Sequence, residues 1–98
     1  MEFPREDILK EFRNIPGVGK EIAKDLWKMG YRSTAELKNE DPEEMYKNLC
    51  ELEGKRVDPC MQYVFRCAVY YCQNAEHDPH LLKWWNWKNL KLSDLDKL

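Results

Sequence analysis

The sequence predicts an all-α fold in a single domain, and three observations carry that prediction. Apolar residues recur every three to four positions, as in Ile8, Leu9 and Phe12 or in Ile22, Ala23, Leu26 and Trp27, and no segment alternates as a half-buried strand would. Asp-Pro occurs at Asp41-Pro42, Asp58-Pro59 and Asp78-Pro79, each time placing a side-chain acceptor before a residue suited to the first helical position. The chain has 98 residues, 43% of them hydrophobic, enough for one core and too few for two. No repeat or long linker divides it.

Taken in order, the first helix is expected over residues 4–14 and the second over 20–29, where Gly30 stops it. A short helix over 33–38 follows, because Ser33 and Glu36 have the spacing of a capping box. Asp41 and Glu44 have the same spacing at the head of a helix over 42–53, which Gly54 should end in a left-handed turn. Asp58 opens a helix over 59–75. Its stretch Phe65–Tyr71 has β-propensity in isolation, but the cap and the length of the run favour helix. Between Cys60 and Cys72 only Gln62 and Arg66 interrupt the apolar run, four apart on one narrow face. A helix apolar almost all round is buried from several sides, either as a central helix or in a subunit interface, and the five other short helices favour the centre. Ile22, Leu26, Leu37 and Leu49 should point inward against Val64, Phe65 and Ala68. The last helix, over 79–86, leads into Trp84, Trp85 and Trp87, whose indoles should close the open side of the packet with one of the three rings left exposed. With Lys83 and Lys88 beside them, they also suit a stacking platform for nucleobases.

The charged fraction is 35% and the formal net charge −2, so the overall basic excess of many nucleic-acid binders is absent. Charge is nevertheless uneven: residues 1–38 carry eight Lys or Arg against seven Asp or Glu, and residues 39–58 three against seven. Any DNA contact must therefore be local. No run approaches a membrane span, and MEFPREDILKE mixes charges of both signs where a signal peptide has an apolar core, so a cytoplasmic protein with no membrane partner is expected. In that reducing compartment Cys50, Cys60, Cys67 and Cys72 should be free thiols. Cys72, His77 and His80 carry nitrogen and sulfur of the kind zinc takes, but their spacing matches no usual ligand pair, and neither a metal nor a cofactor is expected. No arrangement of acids, nucleophile and base stands out for catalysis, so the chain reads as non-enzymatic.

The chemistry concentrates at Ile15-Pro16-Gly17-Val18-Gly19-Lys20, a glycine-rich turn between two helical segments. The first N–H groups of a helix lack intrahelical partners, and glycines without Cβ atoms allow an anion close approach. Two other phosphate motifs fail on residues. A Walker A loop ending at Gly19-Lys20 needs glycine at Asn14 and Ser or Thr at Glu21, and a dinucleotide fingerprint from Gly17 and Gly19 needs glycine at Ile22 and a preceding strand. The plainer reading is a sharp turn whose glycines serve backbone angles alone. The wider string IPGVGKEIAKDLWKMGYRSTAEL resembles the helix-hairpin-helix motif, whose hairpin amides hold a phosphate of the DNA backbone without reading sequence.

Beyond the hairpin, DPEEMYKNLCELEG, DPCMQYVFRCAVYY and DPHLLKWWNWKNL extend the similarity over most of the chain to small bacterial helix-hairpin-helix proteins described as pathogenicity-locus or mitomycin-resistance-associated. The resemblance implies a compact SAM-like helical bundle, with the motif at residues 8–29 and a Trp-rich segment, 78–98, packed on the core. It also implies a link to DNA repair or damage resistance. The expected phosphate-binding residues are Gly17, Val18 and Gly19 through backbone N–H, with Lys20 and Lys24 adding charge one turn apart. Proteins that grip a duplex through this motif often pair two hairpins. This chain has one, since the turn Gly54-Lys55-Arg56 lacks the Gly-x-Gly pair, so the DNA grip implied is weak and non-specific. The competing reading is a protein-interaction adaptor in which the motif is only scaffold, with a protein partner or a second copy in a homodimer meeting the acidic 40–53 region or the tryptophans.

Overall fold

The structure, a computed structural model, describes residues 4–95. In chain order it contains α1 (Arg5–Phe12), α2 (Lys20–Lys28), α3 (Pro42–Glu53), α4 (Cys60–Gln73) and α5 (Leu92–Leu95), with single 3₁₀ turns at Thr34–Leu37, Pro79–Leu82 and Trp84–Trp87. Among the described residues there is no strand, so the fold is all-α in one domain. The expected C-terminal segment runs to residue 98, and its last three residues lie outside the described chain.

The Asp-Pro starts behave as local chemistry dictates. Asp41 Oδ1 accepts the Glu43 N–H at 2.9 Å, Asp58 Oδ1 that of Cys60 at 2.9 Å, and Asp78 Oδ1 that of His80 at 2.9 Å. Each satisfies one donor that the first turn leaves without an intrahelical partner. Gly54 ends α3 at φ +68°, and Gly30 follows α2 at φ +104°.

α4 is the central element. Every residue from Val64 to Tyr70 is buried, and the helix packs against α3, Thr34–Leu37, Pro79–Leu82 and Trp84–Trp87. Phe65, Ala68 and Val69 meet Leu26, Leu37, Met45 and Leu49 in the main core, while Cys67 and Tyr70 join Trp87 in a second, smaller cluster. Arg66 lies in the same buried stretch, 5% exposed. Its Nε donates to Glu43 Oε1 at 2.6 Å and its Nη1 to the Trp87 carbonyl at 2.7 Å, so the one cation on this helix ties α3 to the tryptophan turn.

Three local expectations are corrected. Ile22 is half-buried at the rim of the core, and Ala23 takes the central position on α2, where small size lets the helix approach closely. Residues 33–38 form only a 3₁₀ turn, and Ser33 does not cap it; Glu36 instead accepts the Arg32 N–H at 3.0 Å. The helix expected over 79–86 is two 3₁₀ turns separated by an extended Lys83 at φ −97°, ψ 111°. A continuous α-helix would carry Trp84, Trp85 and Trp87 round its circumference, whereas the break lets Trp87 enter the core and donate its indole N–H to the Leu81 carbonyl at 2.8 Å. Of the three indoles, Trp87 is buried, Trp84 is half-buried and Trp85 is exposed, so one ring is left outside the packet as the sequence reading expects.

Candidate functional site

The turn between α1 and α2 is held by its apolar residues. Ile15 and Val18 are buried, and the Val18 N–H donates to the Ile15 carbonyl at 3.0 Å, closing the bend. Between them Gly17 stands at φ +85°, a conformation that side chains disfavour. A Cβ there would also lie 2.9 Å from Trp84 Cδ1. Gly17 thus lets an indole pack directly on the turn. Gly19 differs: it is extended, at φ −93°, and the space around a Cβ would be open.

α2 begins without a side-chain cap. Its first helical bond runs from the Ala23 N–H to the Gly19 carbonyl at 2.9 Å, so the amides of Lys20, Glu21 and Ile22 precede the helical ladder. Of the residues expected to offer amides, Gly17 and Gly19 stand on the exposed side of the turn, while Val18 has its amide engaged and its side chain in the core. Lys20 and Lys24 are exposed as expected. The nearest carboxylate to Lys24 is a loose one, Glu21 at 3.9 Å.

The structure adds what local sequence did not show. Arg5, Lys10 and Arg13 of the first helical segment come beside Lys20 and Lys24 of the second, and the five cations line one groove of about 230 Å³ together with Glu6 and Leu9. Five positive charges face a single carboxylate there. A neighbouring groove shares Arg5 and Lys24 but is balanced by Glu21 and Asp25, and its other cations are committed. Lys28 pairs with Glu53 at 3.0 Å, and Arg32 lies 3.6 Å over the Trp27 ring while donating to the Trp27 and Tyr31 carbonyls. Burial, reinforced by Glu53, pushes the Asp25 carboxyl above its ordinary pKa. Of these two grooves, the first is therefore the net positive one. Arg5, Leu9 and Arg13 are spaced by four and eight residues on one helical face, the signal in the sequence that could have found it.

The cysteines and histidines come together in no comparable way. Among the described residues, no three His, Cys, Asp or Glu side chains are grouped to hold a metal ion. His77 Nε2 lies 2.8 Å from the Tyr71 carbonyl and its ring stacks on Tyr71 at 4.8 Å, while His80 lies beside Asn86. All four cysteines are free thiols. Burial pushes Cys67 and Cys72 up to about 11, away from the reactive thiolate. No helix among the described residues is long and apolar enough to cross a membrane.

A family model described as pathogenicity locus matches residues 5–91, a span that takes in the basic groove, all of α4 and the tryptophan turn. The chain belongs to that family. This pathogenicity-locus chain is also similar to mitomycin resistance protein McrB of Streptomyces lavendulae, with 26% identity over 77 residues covering 79% of this chain and 70% of that protein. No solved structure matches it.

Proposed function

We propose that this pathogenicity-locus protein is a cytoplasmic, non-enzymatic module that binds the DNA backbone without reading sequence, in the damage-resistance setting that the name of the Streptomyces relative suggests. The observation that carries the reading is the groove in which Arg5, Lys10, Arg13, Lys20 and Lys24 converge beside an uncapped helix start. A phosphate at the turn would meet the amides of Gly19, Lys20 and Glu21, and its neighbours along the strand would meet the groove cations. Such contacts position a backbone and carry no base information. The overall charge of −2 and the nearby Glu6 and Glu21 make the grip weak and sensitive to salt.

Fluorescence anisotropy with a labelled duplex over a salt series tests this. Wild type should bind at low salt, indifferent to sequence. Lys20→Ala, Lys24→Ala and Arg13→Ala should each weaken binding and reduce the logarithmic salt slope by about one. Unchanged binding in all three variants, or no binding to any DNA at low salt, would transfer the argument to the adaptor reading. The observation in favour of that reading is Leu52, 49% exposed on acidic α3.

A further inference from the structure

We propose that the exposed indole of Trp85 stacks on an unpaired base, so that the DNA taken by this protein is duplex running into a single-stranded tail. This rests on the DNA-backbone reading above and adds the kind of DNA to it. Trp85 is 57% exposed although it sits between two residues that pack inward, Trp84 and, two positions on, Trp87. A small core gains much from an indole, so the one left out is available for another partner. Trp85 is also held in place. Its ring meets Trp84 edge to face, with centroids 5.8 Å apart and planes at 85°, and Trp84 in turn packs on Gly17 at the turn between α1 and α2. One buttressing ring therefore separates Trp85 from the turn.

The charge along this segment suits a nucleic acid. Lys83 and Lys88, two and three residues from Trp85 along the chain, are exposed, and residues 79–91 contain three lysines and no Asp or Glu. An aromatic face among cations is the arrangement by which proteins hold unpaired nucleotides, since every base has a face to stack and the lysines meet its phosphates. A fully paired duplex stacks its bases on one another and offers Trp85 no unpaired base. Among the described residues the other strongly exposed large apolar side chain, Leu52, lies between Glu51 and Glu53, where a phosphate strand would be repelled.

The test uses the whole chain and two labelled DNAs at low salt, a blunt duplex and the same duplex with a short single-stranded tail. Wild type should bind the tailed DNA roughly tenfold more tightly, with tryptophan fluorescence quenched. Trp85→Ala should abolish that preference while leaving blunt-duplex affinity unchanged, and Trp85→Phe should retain part of it. Equal affinity of wild type for the two DNAs, or a preference that survives in Trp85→Ala, overturns the proposal. If blunt-duplex binding still depends on Lys20 and Arg13 in that event, the backbone reading stands alone. Failure of wild type to bind either DNA removes both.

Discussion

Gly17 and Gly19 are two residues apart and chemically identical, yet the structure gives them different work. Gly17 is at φ +85° with Trp84 Cδ1 2.9 Å from where a Cβ would be, so Gly17→Ala adds both backbone strain and a collision with a ring that cannot swing away freely. We expect a loss of about 1–3 kcal/mol. Gly19→Ala meets open space at an ordinary φ and should cost clearly less, mainly the poorer fit of alanine before a helix start. Urea denaturation of the two variants checks this, and equal losses would mean that Trp84 does not press on the turn. In DNA binding the order should change, because only Gly19 adjoins the uncapped amides of α2.

Among the elements, α4 and the tryptophan turn depend on each other through Arg66. Deleting its guanidinium leaves the Trp87 carbonyl without that donor and Glu43 without its cation. Glu43 keeps 40% side-chain exposure and can be rehydrated, so the penalty is smaller than for a fully buried pair. Arg66→Ala should therefore destabilise by about 2–3 kcal/mol. Glu43→Gln, which retains an acceptor, should cost less than half of that. Near-ultraviolet circular dichroism should show the larger change in tryptophan packing for the arginine variant, and a wild-type spectrum and midpoint for Arg66→Ala would refute the coupling.

For the molecule as a whole, Cys67 and Cys72 connect stability to alkaline pH. Burial raises both thiols from about 9 to about 11 in the folded chain. Below pH 9 they are protonated whether the chain is folded or not, and they contribute no pH dependence. Between pH 9 and 11 the unfolded chain releases these protons first, so it binds fewer protons than the folded chain and stability falls as pH rises. The urea midpoint should drop between pH 8 and pH 10.5, and Cys72→Ala should drop less than wild type over the same interval. Identical pH dependence in the two proteins would show that Cys72 ionises freely in the folded state.

What the sequence by itself determined is local. Asp41, Asp58 and Asp78 satisfy amides two residues away, Gly30 and Gly54 end helices through their own φ, and the middle of the apolar run of α4, Val64–Tyr70, is buried as its composition required. Each depends on groups within a turn or two of chain. The same locality made Gly17, Gly19, Lys20 and Lys24 legible as half of a site. Tertiary structure alone decided the rest, because it depends on which surfaces meet. Packing α1 against α2 brings Arg5, Lys10 and Arg13 to the two lysines. Docking Trp87 into the core breaks the last helix at Lys83 and leaves Trp85 in solvent, since one continuous helix could not serve both rings. Arg66 read as the polar edge of a helix and became an internal tie, because Glu43 and the Trp87 carbonyl, remote in sequence, were brought within reach of its guanidinium.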